Sequence, residues 1–157
     1  WASAAELNVN ITRNLSGVSE GRQRVVYVDS DADNSMKLAA DGDINTYWRT
    51  VHNQFYLAPY PHEIQVSLAK EAKVKGIKYT PRQDSAEGRI AKYEIYLSQD
   101  GKEWGKAVAS GTFKNSKEAQ TVEFTPHQAR YVKLQALSAA DSGKQAAVSE
   151  LEILMAK

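Results

Sequence analysis

Four runs of this chain alternate apolar and polar residues with a period of two, and that period restricts the fold more than any other feature. In "EIQVSL", Ile64, Val66 and Leu68 share one face while Gln65 and Ser67 share the other. The same spacing recurs at Tyr93, Ile95 and Leu97 of "KYEIYLS", at Val122 and Phe124 of "QTVEFT", and at Val132, Leu134 and Ala136 of "RYVKLQA". Successive side chains of an extended strand point to opposite faces, so each run predicts a strand with one buried face. "AADGD", "LAPYP", "TPRQD", "SQDGKEWG" and "FTPHQ" punctuate the runs with Asp-Gly pairs and prolines that suit turns and interrupt helices. Only "SMKLAAD" carries a weak helical stripe. Many short strands with no helices between them predict an all-β fold, an antiparallel β-sandwich or jelly roll, and disfavour a parallel α/β sheet.

The chain has 157 residues, room for one domain plus a tail and for a core that stands without disulfides. It has no cysteine, which excludes disulfide frameworks, thiolate metal sites and a cysteine nucleophile together. That composition suits a bacterial extracytoplasmic protein as well as a cytosolic one. Net charge is +1 with both signs interspersed, so no basic stripe marks a nucleic-acid partner. No apolar run reaches the length of a membrane span. Residues 10–24 are turn-rich and poor in core material, which reads as a linker. Residues 1–9, "WASAAELNV", repeat the pattern of residues 145–153, "QAAVSELEI": small residues, Glu-Leu, a polar residue, then a β-branched one. A motif that closes the domain at residue 153 implies that its first copy closed a preceding domain. Residues 1–23 are therefore expected to be a foreign tail plus linker, and residues 24–157 the domain proper.

Catalysis needs groups that converge, and the sequence offers no such set. A Gly-x-Ser-x-Gly elbow, a phosphate-cradling glycine loop and a His-Glu-x-x-His helix are all missing. His52, His62 and His127 fall in separate turn regions, and a lone loop histidine is more often a surface residue than a base. "DSDADNS" spaces its acids like an EF-hand, but Asn34 stands where that loop needs glycine and Ala40 where it needs the closing glutamate.

Taken together and in order, "LAADGDINTYWRT", "YTPRQDSAEGRI", "YEIYLSQDGKEWG", "RYVKLQALS" and "SELEI" resemble the discoidin family, the coagulation factor V/VIII type C domain. Its bacterial sugar-binding members form carbohydrate-binding module family 32. The resemblance runs from about Arg24 to Lys157 and implies a discoidin-like sandwich. It further implies a structural Ca²⁺ site with side chains from Asp41, Asp43, Thr46 and Glu150 and carbonyls from Leu38, Thr46 and Ser149. The residue types suit a hard cation, which takes about six to eight oxygen ligands, and Gly42 lets the loop turn tightly. The ion would tie an irregular loop to the last strand.

Sugar sites combine bidentate donors with an aromatic platform. Galactose-binding relatives typically carry a His after the Trp of "YW", an Arg in "PRQ", an Asn before Gly-Arg and an aromatic before the last strand. This chain has Arg49, Arg82, Glu87 and Gln145 there, so only Arg82 matches. Arg49 adds permanent charge, Glu87 is an acceptor-only anion, and Gln145 removes a stacking surface. One reading makes Arg49, Arg82 and Glu87 a charged rim for an acidic or N-acetylated sugar, with Phe55, Tyr56 or Tyr60 as the platform. The other pairs those charges with one another on a module of little sugar affinity. Trp48 and Trp104 each follow a turn and are expected to anchor the core or a hairpin rather than to stack on ligand.

The resemblance thus implies a non-catalytic carbohydrate-binding module that holds an attached extracytoplasmic glycoside hydrolase on glycan. The alternative is a discoidin-type adhesion or spacer domain contacting protein or lipid. Lipid is disfavoured because the apolar loop-tip candidates are only Phe55, Tyr56 and Leu57, flanked by polar residues.

Overall fold

The computed structural model describes residues 36–50 and 59–157. The expected tail and linker, and the platform candidates Phe55 and Tyr56, lie outside the described residues. A short 3-10 helix at Met36–Ala40 accounts for the weak stripe in "SMKLAAD". Among the described residues seven strands follow: β1 (Trp48–Arg49), β2 (His62–Thr80), β3 (Lys92–Ser98), β4 (Ala109–Thr112), β5 (Gln120–Ala136), β6 (Ala147–Val148) and β7 (Glu150–Met155). The pairings among these described strands are antiparallel, in the orders β4-β3-β5-β2-β7 and β1-β6.

The long β2–β5 ribbon supplies both layers. Its register slips between Ser67 and Ala72, and this break divides it. The half at 62–67 pairs with β5 on the side that carries β3, whereas the half at 74–80 carries β7. Ile64, Val66 and Leu68 from the first half and Val74, Ile77 and Tyr79 from the second all enter one buried cluster. Strands that switch layers at a bulge or bend build sandwich corners in this way. A second irregularity between Val74 and Gly76 inserts an extra residue, so the inward positions move from even numbers to odd ones. Gly76 sits where the ribbon is tightest: a Cβ there would strike the Val122 carbonyl oxygen.

The alternation in the sequence maps onto this core directly. Ile64, Val66, Leu68, Tyr93, Ile95, Val132, Leu134 and Ala136 are buried, while Leu97, Val122 and Phe124 are partly buried against the cluster. Trp48 is buried as a core residue. Trp104 is half-exposed, its ring covered by the Lys133 ammonium at 4.5 Å. Phe113 just past β4 joins the core, stacked on Tyr93 at 4.0 Å and tilted against Tyr79 at 4.5 Å. His62 departs from the surface expectation. It is fully buried, with Nε2 at 2.6 Å from the Lys144 carbonyl and its ring 4.4 Å from that of Tyr60. No described helix is long and apolar enough to cross a membrane.

Candidate functional site

The loops between strands meet where β1 and β6 pair. Arg49 stands opposite Ala147 in that two-residue ladder. The Ala147 N–H donates to the Gly88 carbonyl at 2.8 Å, and the Thr50 N–H donates to the Ala146 carbonyl at 3.0 Å. Gly88 holds φ +82°, and a Cβ there would meet the Ala147 Cβ at 3.0 Å, so glycine allows this close approach. Three separate sequence segments, at Arg49, at Glu87 and at Gln145, are thereby drawn together. Tyr60 joins them, its hydroxyl donating to the Gln145 carbonyl at 2.6 Å.

Arg82 sits just beyond β2 on the turn that faces this group. The sequence reading missed its main partner, Asp84. Arg82 Nε donates to Asp84 Oδ1 at 2.6 Å, and Nη2 lies 3.5 Å from Oδ2. The Arg82 side chain is 10% exposed against 63% for Asp84, and its guanidinium carbon lies 4.3 Å from the centre of the Tyr47 ring. Burial works against the Arg82 charge, but the Asp84 carboxylate, with smaller help from Tyr47 and Glu87, raises its pKa. In return Arg82 holds the Asp84 carboxyl below its ordinary value, with a weaker pull from Arg49. Arg82 thus forms its ion pair with Asp84, and Glu87 acts on it at longer range. An acid two residues after an arginine in a turn was the available signal. Arg82 Nη1 remains buried without a hydrogen-bond partner, as does Gln145 Oε1.

The turn that carries Arg82 is fixed from behind. Arg89 Nε donates to the Arg82 carbonyl at 3.1 Å and Nη1 to Asn115 Oδ1 at 3.1 Å. Gln83 Nε2 bridges the Pro81 and Lys117 carbonyls at 2.7 and 2.8 Å. Tyr79 accepts the Ile90 N–H at 3.0 Å, and burial pushes its phenol well above the ordinary value.

The second group of predicted residues lies on the loop from Asp41 to Thr46. Gly42 turns at φ +81° and donates its N–H to Glu150 Oε1 at 2.7 Å. Asp41 Oδ1 accepts the Asp43 N–H at 2.9 Å and Oδ2 the Thr46 hydroxyl at 2.5 Å. Asp43 Oδ1 accepts the Asn45 N–H at 2.9 Å. Among the described residues no three His, Asp or Glu side chains form a ready-made metal cluster. Asp41 and Glu150 nevertheless meet. Burial, and then the Asp41 carboxyl against it, push Glu150 up to about 7. Slight burial opposes ionisation of Asp41, but Thr46 and the Asp43 backbone outweigh it and lower its pKa. Abutting carboxyls on a tight loop, with a threonine hydroxyl beside them, are a hard-oxygen donor set that suits Ca²⁺. Asp41, Asp43, Thr46 and Glu150 would hold the ion through their side chains. Leu38 and Ser149 lie on the flanking 3-10 helix and just before β7.

A cavity of about 450 Å³ lies elsewhere, lined by residues that include Leu97, Asp100, Trp104, Val108, His127 and Gln128. Its polar groups are largely spent on its own turn. Asp100 Oδ1 accepts the N–H groups of Lys102 and Glu103 and lies 3.0 Å from the Ser98 hydroxyl, and Gln99 donates to the Gln128 carbonyl.

The profile of the F5/8 type C domain matches residues 23–151. A sialidase of Micromonospora viridifaciens is 36% identical over 155 residues, covering 96% of this chain and 24% of that protein. The chain therefore spans about a quarter of the length of this curated relative. The Clostridium perfringens module CpGH89CBM32-5, solved with GalNAc-β-1,3-galactose, superposes with a TM-score of 0.75 at 28% identity, covering 94% of this chain and 95% of the other. The family 32 module of Clostridium perfringens NanJ, solved with galactose, gives 0.74 at 29% identity and covers 92% of both chains.

Proposed function

The chain belongs to the F5/8 type C domain family, and on that premise we propose that it is a non-catalytic carbohydrate-binding module for glycans bearing galactose or N-acetylgalactosamine. One observation carries the reading: Arg82 is held rigidly by Asp84 and Tyr47 while its Nη1 stays buried without a partner. A buried N–H left without an acceptor is costly even where the rest of the guanidinium is paired, so the partner of Nη1 is a ligand acceptor such as a ring hydroxyl. Glu87 and Arg49 supply further polar contacts around it, and Tyr60 contributes a half-buried aromatic edge.

In this reading Ca²⁺ bound by Asp41, Asp43, Thr46 and Glu150 is structural and supplies no chemistry. It fastens the loop to β7 beside the segment that bears Gln145 and so stiffens the rim of the site. The module acts outside the cytoplasm, linked to a glycan-processing enzyme. Tethering raises the enzyme's effective concentration on substrate even when the module binds weakly.

Calorimetric titration of the wild type and of Arg82→Ala with galactose and N-acetylgalactosamine tests this. The wild type is expected to bind and the variant to lose about 10- to 100-fold in affinity, the range for removing a charged hydrogen bond. Equal heats for both proteins would remove Arg82 from the site.

A further inference from the structure

We propose that Asp84 sets the charge preference of this site, so that the module selects a neutral sugar ring over its uronic acid counterpart. The proposal rests on the sugar-binding reading of Arg82.

An open guanidinium offers two parallel N–H donors and prefers a carboxylate, which it grips bidentately. In this structure one of its two edges is already taken by a carboxylate of the protein. Nε and the Nη2 side of Arg82 face Asp84, at 2.6 and 3.5 Å, and one face of the guanidinium plane lies against the Tyr47 ring. Of its nitrogens, Nη1 is the one left without a partner. Asp84 is 63% exposed and kept ionised by Arg82, so a second carboxylate arriving at Nη1 would meet a fixed negative charge beside it. Glu87 adds another, close enough to act on Arg82. Asp84 and Glu87 thus offset the positive groups Arg49 and Arg82 and weaken the attraction for an acidic ligand.

Another buried atom without a hydrogen-bond partner, on Gln145, points the same way. Gln145 is 5% exposed and its Oε1 has no partner, while its backbone carbonyl is engaged by Tyr60. An amide oxygen needs a donor. A hydroxyl can both accept from an arginine and donate to an amide, but an ionised carboxylate can only accept. A buried lone donor and a buried lone acceptor together describe a site for hydroxyls.

Calorimetry with methyl β-galactoside and methyl β-galacturonoside decides the matter, using the wild type, Asp84→Asn and Asp84→Glu. The wild type is expected to favour the neutral sugar by at least about tenfold, Asp84→Asn to shrink that ratio about tenfold, and Asp84→Glu to retain it. Equal or acid-favouring binding by the wild type would overturn the proposal, and this arm holds even if Asp84→Asn fails to fold. A folded Asp84→Asn that keeps the wild-type ratio, or that loses both sugars, would overturn it as well. Those outcomes leave the sugar-binding reading standing, whereas a wild type that binds neither sugar sinks the reading and this proposal with it.

Discussion

Gly42 donates its backbone N–H to Glu150 Oε1 at 2.7 Å, joining positions 108 residues apart in the sequence. The bond closes the loop from Asp41 to Thr46 onto the first residue of β7, where the Asp41 and Glu150 carboxyls meet. Two acids pressed together raise the free energy of the folded state unless a proton or a cation sits between them.

Calcium is therefore expected to stabilise the fold. At a free concentration near 100 times its dissociation constant it should add about 2.7 kcal/mol, which for a chain of this size corresponds to a rise in Tm of ~5–10 °C. Differential scanning calorimetry with calcium and with a chelator reads this shift. Glu150→Gln and Asp43→Asn should each largely remove it, while magnesium should reproduce it poorly, because it demands a smaller octahedral shell.

Gly76 permits the ribbon's closest backbone approach, since a side chain there would press on the Val122 carbonyl oxygen. Gly76→Ala is expected to cost about 1–3 kcal/mol through overpacking, seen as a lower urea midpoint with an unchanged slope. Gly42→Ala would act differently, because open space surrounds that position and only its positive φ is at stake.

Asp100 anchors the turn after β3. Backbone donors from Glu103 and Lys102, then the Ser98 hydroxyl, lower its pKa to about 2 from the ordinary 3.8. The folded value lies below the unfolded one, so the turn's contribution is fully present above pH 3.8 and fades as pH falls through about 2. A carbon-detected NMR titration should find the Asp100 midpoint near 2, and Asp100→Asn should flatten the acid limb of stability over that window. A midpoint at the ordinary value would show that the turn does not hold the carboxylate.

Much of the fold was legible because a strand with one buried face writes its period into the residues. Ile64, Val66, Leu68, Val132, Leu134 and Ala136 were identified as inward and are buried. The break at Val74–Gly76 was not read from the alternation, because a bulge shifts its parity; the signal it did leave was Gly76 itself, an interior strand glycine that marks a close backbone approach. Phe113 follows an exposed edge strand and showed no periodicity, yet it is a core aromatic. His62 resembled a loop histidine because its burial depends on Tyr60 and Lys144, which only tertiary folding brings close. At the site, the resemblance supplied Arg82, but Asp84 became visible only once the turn set its carboxylate on the guanidinium. Charge lists name partners by type, and backbone geometry chooses among them.

A crystal structure of the module with N-acetylgalactosamine tests the central claim most directly. The account predicts a sugar hydroxyl within about 3.2 Å of Arg82 Nη1, with Asp84 still on the opposite edge of the guanidinium. A sugar seated instead against Trp104 in the cavity lined by Leu97, Asp100 and His127, with Arg82 untouched, would contradict it.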